Sequence, residues 1–314
     1  MAIKREACDD WFSKCVRHRD QHRCVYCFGE GTDCAHVYGR AKKSVRWSMD
    51  NAITLCRYHH RYFTDHNAMN ETRIEKDTMG EMEVPADALY GASTQRAVIN
   101  FPISGETLSP YIIHAYGLIK WAAARVNGEL GHVETTLTDK IEVAAKEVYE
   151  GKHDEHFPVD IYQTGSGTST NMNANEVIAN RCSQIEGKPI GSKDPIHPND
   201  HVNQGQSSND TFPTAMHIAA GVAVKENLIP ALEDLHSALK NKSEDFNDIL
   251  KIGRTHLMDA TPVRLGQEFA GYAKQIERSV DRAHKALKAI HELALGGTAV
   301  GTGLNCHPDF PAKA

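Results

Sequence analysis

The stretch "GQEFAGYAKQIERSVDRAHKALKAIHELA", residues 266–294, decides the fold. Its apolar residues recur every three or four positions, which is the period of one face of an α-helix. Residues 110–131 and 211–240 share this period; in the latter, Pro213 is tolerable in a first turn and Pro230 predicts a kink. Because such helices exceed the usual three or four turns, we expect a bundle of long helices, completed by other subunits. The stripe of 266–294 comprises Phe269, Tyr272, Ile276, Val280, Ala283, Leu287 and Ile290.

Length and composition are those of a globular protein. The 314 residues are 40% hydrophobic and 24% charged, and the length favours two or three domains. No apolar run approaches the roughly 18 residues needed to cross a bilayer. The opening "MAIKREACDDWF" lacks the apolar core of a signal peptide, so we expect a cytoplasmic location.

Charge and cysteine are distributed unevenly along the chain. Residues 1–68 carry a balance of +4, whereas the remainder carries −10, and six of the eight cysteines precede residue 57. In a reducing compartment such clustering favours metal ligation over disulfides. The two parts are therefore expected to differ in partner.

Two ligand pairs in the amino-terminal part have the spacing of a zinc site. Cys24 and Cys27 form one pair, and Cys56 and His59 repeat the spacing. Four such ligands make a closed tetrahedral structural zinc site, which can hold together a domain with little core. The alternative is a set of free cysteines.

The stretch between these pairs, "DCAHVYGRAKKSVRWSMDNAITLC" (33–56), resembles the zinc-stapled His-Asn-His (HNH) endonucleases when taken with His60. The resemblance covers about residues 8–66 and implies a ββα-metal unit. In it, His36 is the general base, Asn51 orients that base or its loop, and His60 ligates a catalytic divalent ion such as Mg²⁺.

Basic residues in the same stretch indicate a nucleic-acid partner. Together with the metal motif they favour phosphate contacts to DNA, although a basic run by itself is usually a solvated loop. Many members of the family place a second metal ligand just before the catalytic His, where this chain has Ala35. The basic residues are Arg40, Lys42, Lys43 and Arg46.

Four polar motifs lie between the predicted long helices. Any one of them is explained by a turn or a helix cap. Four in one chain, each leading toward a helix, indicate donors that converge on an anionic ligand. They are "TGSGTSTNMNANEV" (164–177), "HPND" (197–200), "QSSND" (206–210) and "GRTH" (253–256).

These motifs, with "GGTAVGTGLN" (296–305), resemble class II fumarate hydratase of the fumarase/aspartase superfamily from about Met69 to Ala314. The resemblance implies reversible hydration of fumarate to (S)-malate without a metal or redox cofactor, in a homotetramer whose active sites combine three subunits. Thr255 and His256 would be catalytic. The implied substrate-binding residues are Ser166, Thr168, Asn171, Ser207, Ser208 and Asn209, and a secondary dicarboxylate site comprises His197, Asn199 and Asp200.

The sequence also departs from this family. The "GSSxMPxKxNP" loop, which supplies the proposed catalytic base, is absent from the 314 residues, so hydratase turnover is expected to be impaired. "MNETRIEKDTMGE" reads as a second amino terminus, which predicts a fusion near Met69. Residues 301–314 are expected to be frayed.

The predicted fold is multidomain and mainly α, a fumarase/aspartase-like long-helix bundle with a small zinc-stapled ββα head. Two alternatives to the hydratase stay open: a metal-dependent HNH endonuclease, and an inert fusion used for assembly. The predicted division is 1–66 for the zinc module, 67–72 for the junction, 73–207 for the first fumarase-like domain and 208–314 for the central helical domain.

Overall fold

The computed structural model describes residues 71–314, together with the backbone of two short amino-terminal strands. These strands are β1 (Asp33–His36) and β2 (Ala52–Leu55). They pair antiparallel, with His36 opposite Ala52. The predicted zinc ligands lie outside the described residues, as do Asn51 and His60.

The chain forms two compact units. The first comprises Met1–Thr107 and Pro158–Gln163, and the second comprises Leu108–Phe157 and Thr164–Ala314. The division predicted from the sequence stays a prediction.

Besides the β1–β2 pair, the described part of the first unit contains a β-hairpin and one helix. The turn of the hairpin is fixed by Asp77, whose carboxylate accepts a hydrogen bond from the Met79 N–H at 2.8 Å. The same carboxylate pairs with Arg96 at 2.9 Å, which ties the hairpin to the helix. The elements are β3 (Thr72–Asp77), β4 (Gly80–Pro85) and α1 (Ala92–Asn100).

The second unit is mainly helical. Its regular elements are α2 (Pro110–Glu129), α3 (Thr135–Tyr149), α4 (Thr168–Ile185), α5 (Ser208–Ala223), α6 (Ile229–Asp245), β5 (Leu250–Thr255), β6 (Met258–Arg264), α7 (Leu265–Ala289) and α8 (Phe310–Lys313). A 3-10 turn (Asp154–His156) and two π-helical turns (Pro198–Val202 and Val224–Leu228) complete it.

Helices α2 to α5 enclose the core of this unit. Helix α2 packs against α3 and α5. A Cβ atom at Gly117 would lie 2.4 Å from the backbone N of Tyr149, so only glycine lets α2 and α3 approach this closely. Burial of each large apolar side chain contributes about 1.5–3 kcal/mol relative to exposure. The most deeply buried include Tyr116, Ile119, Ile141, Val148, Val177 and Ile178.

Helices α6 and α7 pack along each other and are joined by the β5–β6 hairpin. The predicted stripe of α7 is largely confirmed, since six of its seven residues are half-buried or buried. Tyr272 is the exception: it is 49% exposed, and Ala273 takes the inward position. The helix ends at Ala289, before the predicted end at residue 294.

The two prolines of the region 211–240 have different consequences from those predicted. Helix α5 begins at Ser208, so Pro213 lies in its second turn rather than its first, where its ring removes one backbone hydrogen bond. Pro230 is the second residue of α6, a position that needs no N–H donor. The interruption is the π-helical turn that precedes it.

The carboxy-terminal segment is packed rather than frayed. Phe310 is fully buried and contacts Ala123 and Val126 of α2. The sequence-based expectation for 301–314 is therefore wrong, because one aromatic anchor holds the segment against the core. Among the helices of the described residues, none has the length and apolar character required to cross a bilayer.

Candidate functional site

The amino termini of two long helices meet in the second unit. Thr168 is the first residue of α4 and Ser208 is the first residue of α5. Their hydroxyl oxygens lie 3.0 Å apart, and the hydroxyl of Ser166 lies 2.9 Å from that of Thr168. We call Ser166, Thr168 and Ser208 the hydroxyl row. Because free N–H groups and the positive end of the dipole lie at a helix amino terminus, the row marks a place that favours an anion.

The backbone before α4 is shaped by Gly167. This residue precedes the helix with a φ of 67°, in the left-handed region. A Cβ atom here would lie 2.1 Å from the ring of Phe212 in α5. Glycine therefore meets two requirements at once: the conformation that turns the chain into α4, and the close approach of α5.

A reciprocal cap begins α5. The Ser207 hydroxyl accepts a hydrogen bond from the Asn209 N–H at 3.3 Å, while the Asp210 carboxylate accepts one from the Ser207 N–H at 2.9 Å. This is the capping box that the "SSND" pattern allows. Ser207 thus shapes the helix terminus, whereas Ser208 contributes its hydroxyl to the row.

Asp210 also holds the motif 296–305 against α5. Its second carboxylate oxygen accepts hydrogen bonds from the N–H groups of Gly296 at 3.1 Å and Thr298 at 2.9 Å. The amide of Asn209 donates to the carbonyl of Ala299 at 2.6 Å. Asp210 is only 1% exposed, so backbone donors satisfy its buried carboxylate.

Beneath the hydroxyl row lies a layer of amide side chains, of which Asn171 is buried and the other two are half-buried. The ammonium of Lys120 donates to Asn171 at 2.8 Å, to Asn203 at 3.0 Å and to Gln206 at 2.8 Å. Asn171 also accepts from the Thr211 hydroxyl at 3.2 Å and donates to Asn203 at 3.1 Å. We call Asn171, Asn203 and Gln206 the amide layer.

Two buried charges lie near this layer. Burial lowers the pKa of Lys120 to about 7, and the negative charge of Asp210 opposes this shift. Desolvation penalises the ammonium, whereas a nearby carboxylate favours it. Lys120 is fully buried, so its charge reaches the site through little solvent screening.

The predicted residues of "HPND" form a local cluster. The Nδ1 atom of His197 accepts from the Asp200 N–H at 3.3 Å, and the His197 N–H donates to His201 at 2.9 Å. Asn199 and Asp200 are exposed. The segment leads directly to Asn203, so it approaches the amide layer along the chain.

Thr255 and His256 lie apart from the hydroxyl row. Thr255 ends β5 and His256 begins the β5–β6 turn, where His256 and Leu257 have φ values of 52° and 61°. Both Thr255 and His256 are exposed, and none of the hydrogen bonds described for the second unit connects them to the row. Their catalytic role stays a prediction.

The structure therefore brings together the six predicted substrate-binding residues, in different roles. Ser166, Thr168 and Ser208 present hydroxyls, while Ser207 and Asn209 organise the start of α5. Asn171 is only 3% exposed and uses both its oxygen and its amide internally. It lies below the surface that a substrate can reach.

The sequence-based reasoning missed the buried and half-buried members of the site. Lys120 could have been found from the sequence, because it is a charged residue on the apolar face of α2, which packs inward. Asn203 precedes "QSSND" without a pattern of its own, and Gln206 and Asp210 belong to that motif but were assigned no role. The residues to which the sequence analysis assigned no individual role are Lys120, Asn203, Gln206, Asp210, Thr211 and Thr298.

The predicted metal and nuclease residues are not described. Cys24, Cys27, Cys56, His59, His60 and Asn51 lie outside the described residues, and only the backbone of His36 is placed. Within the described residues, no group of three or more His, Cys, Asp or Glu side chains is arranged to hold a metal ion.

The second unit is thus a mainly helical fold in which hydroxyl groups meet at the amino termini of two long helices. Residues 80–314 match the family model described as Lyase, and the chain belongs to this family. The predicted mainly helical, fumarase/aspartase-like fold is thereby confirmed for this part.

Within this family, the chain is similar to fumarate hydratases. Fumarate hydratase class II of Halobacterium salinarum is 56% identical over 242 residues, covering 77% of this chain and 51% of that protein. The mitochondrial fumarate hydratase of Danio rerio is 56% identical over 243 residues, covering 77% and 48%. The chain spans about half the length of the curated relatives it matches.

Solved structures agree with this relationship. The recombinant class II fumarase from Schistosoma mansoni matches with a TM-score of 0.75 and 44% identity, covering 77% of this chain and 51% of that one. The fumarate lyase:delta crystallin from Brucella melitensis bound to cobalt matches with a TM-score of 0.75 and 40% identity, covering 77% and 53%.

Proposed function

We propose that the hydroxyl row belongs to a dicarboxylate site of the fumarate hydratase type, which takes fumarate and malate. The observation that carries the proposal is the 3.0 Å approach of the Thr168 and Ser208 hydroxyls at two helix amino termini. Hydroxyl donors and two converging dipoles suit a carboxylate, because they stabilise negative charge without requiring a metal ion.

The chemistry of hydration explains the donor set. In the malate direction, a weakly acidic C–H beside a carboxylate must lose its proton, and the resulting anion needs preorganised donors. The hydroxyl row supplies such donors on a rigid base. The family resemblance assigns the action on water to His256, which in this proposal comes from another subunit of a homotetramer. The reaction then needs no redox cofactor.

Binding is tested by titrating the full chain with fumarate and with (S)-malate in a calorimeter. Thr168→Val removes one hydroxyl at constant volume, and we expect it to weaken binding by about tenfold, the loss of one hydrogen bond to a charged group. Thr136→Val is the matched control, because Thr136 lies near the start of α3 and is exposed. Equal affinity of Thr168→Val and the wild type contradicts the proposal.

Turnover is a separate question. We propose that hydration depends on the "GSSxMPxKxNP" loop, to which the family resemblance assigns the catalytic base. The absorbance of fumarate is followed with the chain alone and after addition of a polypeptide that carries this loop. Malate formation only after the addition supports the proposal, and rapid turnover by the chain alone contradicts it.

A metal-dependent endonuclease acting on DNA is the second candidate function. The antiparallel pairing of β1 with β2 supports it, because an HNH unit requires paired strands at this point of the sequence. Plasmid nicking with added Mg²⁺ tests the activity, and nicking that survives His36→Ala removes that residue from the role of base. Less than one zinc per chain contradicts ligation by Cys24, Cys27, Cys56 and His59.

A further inference from the structure

One buried cation connects the elements that carry the hydroxyl row. The Lys120 ammonium extends from α2 and donates to Asn171 in the first turn of α4. It also donates to Asn203 and Gln206, in the segment that leads into α5. Three hydrogen-bond acceptors for three N–H protons use the whole donor capacity of an ammonium group.

These bonds fix which way the amide groups face. Because the ammonium takes the Asn171 oxygen, the Asn171 nitrogen is directed to Asn203, at 3.1 Å. The Thr211 hydroxyl donates to the same Asn171 oxygen at 3.2 Å, which connects the first turns of α4 and α5. Without N–H donors at this position, the Gln206 oxygen would lose its one donor among the described residues, and the Asn171 and Asn203 oxygens would each lose one of two donors.

We propose that Lys120 is the positioning residue of the dicarboxylate site: its ammonium, bonded to the amide layer, sets the separation of Thr168 and Ser208. This inference rests on the proposed function for the identity of the ligand. Lys120 itself does not touch substrate, since it is fully buried beneath the row.

The charge state of Lys120 gives the inference a pH dependence. A neutral amine has two protons and a lone pair, so one amide oxygen of the three loses its donor. Asp210, in the first turn of α5, is the charged group whose field acts on the ammonium. We therefore expect affinity for fumarate to fall as pH rises from 6 to 9.

The experiment compares Lys120→Met, of similar length but without charge, with the wild type. Fumarate affinity is measured from pH 6 to 9, with Lys140→Met as control, because Lys140 forms a surface pair with Glu186 at 2.8 Å. Lys120→Met is expected to bind about tenfold more weakly at pH 6 and to lose the pH dependence. Unchanged affinity, or a pH dependence retained in Lys120→Met, overturns the proposal.

A second measurement needs no ligand. In a Thr168→Cys, Ser208→Cys background, oxidation to a disulfide reports how close α4 and α5 begin, and mass spectrometry of the linked peptides identifies the bond. We expect Lys120→Met to slow this oxidation by about tenfold, and an unchanged rate overturns the proposal. If the wild type binds no fumarate, the proposed function fails, and the oxidation rate still decides the role of Lys120.

A milder variant guards against misfolding of Lys120→Met. Gln206→Met removes one acceptor from a half-buried position and leaves the cation in place. We expect a smaller loss of affinity and a smaller reduction in oxidation rate than with Lys120→Met. Values equal to those of the wild type for both quantities contradict the positioning role.

Discussion

Gly167 and Phe212 are packed so closely that a Cβ atom on Gly167 would lie 2.1 Å from the Phe212 ring. Gly167 precedes α4 and Phe212 lies in the second turn of α5. The contact joins the two helix termini on which the hydroxyl row depends. A methyl group at residue 167 is therefore a direct test of how tightly the site is built.

We expect Gly167→Ala to lower the free energy of unfolding by about 2–4 kcal/mol, from left-handed strain plus overpacking. Gly187→Ala is the matched control: its φ is 69°, but nothing lies within 4 Å of the position that its methyl group would take. It should lose only the strain, about 1 kcal/mol. Urea unfolding measures the free energy of unfolding of both variants. Equal decreases in the two variants contradict the packing argument.

The ion pair between α3 and α4 predicts acid sensitivity. Glu147 accepts from Arg181 at 2.6 and 3.0 Å, and hydrogen bonds from Arg181 and then His153 lower its pKa to about 2. A carboxyl with a lowered pKa stabilises the fold above its unfolded pKa. This stability is lost as pH falls from about 4.5 to about 2.

The variant Glu147→Gln is therefore expected to lower the free energy of unfolding by about 1–3 kcal/mol at pH 7 and by much less at pH 3. Thermal unfolding at a series of pH values measures the difference. Glu150→Gln serves as the control, because Glu150 pairs with Lys152 on the surface and should change little. A difference that is independent of pH between 3 and 7 contradicts the assignment.

Lys120 predicts a second rise of stability with pH, in a higher pH range than that of Glu147. Burial lowers its pKa to about 7, below the value of about 10.4 that an unfolded lysine has. Between these values the unfolded chain binds the proton that the folded chain has released. The free energy of unfolding of the wild type, relative to Lys120→Met, should therefore rise with pH from 7 to 10, by at most ~1.4 kcal/mol per pH unit.

Urea unfolding of both proteins at pH 6, 8 and 9.5 measures this slope. Below pH 7 the difference between them should be constant. Lys140→Met is the control at a surface lysine. The difference in free energy of unfolding between the wild type and Lys140→Met should not change from pH 6 to 8. A flat difference for Lys120→Met above pH 7 excludes a lowered pKa at this residue.

Asp210 joins the start of α5 to the segment 296–298, and Asp210→Asn should loosen both. Both carboxylate oxygens of Asp210 accept hydrogen bonds from backbone N–H groups. In asparagine one of these oxygens becomes an NH₂ group, which cannot accept, so the N–H groups that face it lose their acceptor. We expect a loss of about 2–4 kcal/mol and faster hydrogen exchange at Gly296 and Thr298. Asp309→Asn, at an exposed residue, is the control. Retained protection at both amides contradicts the anchoring role.

Much of the helical architecture could be predicted because periodicity is a local property. The apolar spacing of 110–131 predicted α2 to within two residues. Helix α7 ends five residues before the predicted end. Tyr272 points outward, because packing against the neighbouring α6 decides which face of α7 is covered. Pro213 lies in the second turn of α5 rather than the predicted first turn, because a capping box at Ser207 sets where the helix begins.

The sequence predicted the chemical groups of the candidate site, but not what each residue contacts. "QSSND" and "TGSGTSTN" indicated donors for an anion, and their hydroxyls do meet. Asn171 has the same chemistry as an exposed ligand, and only its contacts show that it is buried. No local pattern distinguishes an amide that binds substrate from one that accepts a hydrogen bond from a buried lysine.

The order of residues alone determined the helices, the glycine turns and the polar caps, because these depend on neighbours within a few positions. The three-dimensional fold decided which caps meet, which amides are covered and that Lys120 ends among three oxygens from two other segments. The reason is physical. Burial and hydrogen-bond geometry depend on residues far apart in the sequence, such as Lys120 and Gln206, which are 86 positions apart and are brought together by helix packing.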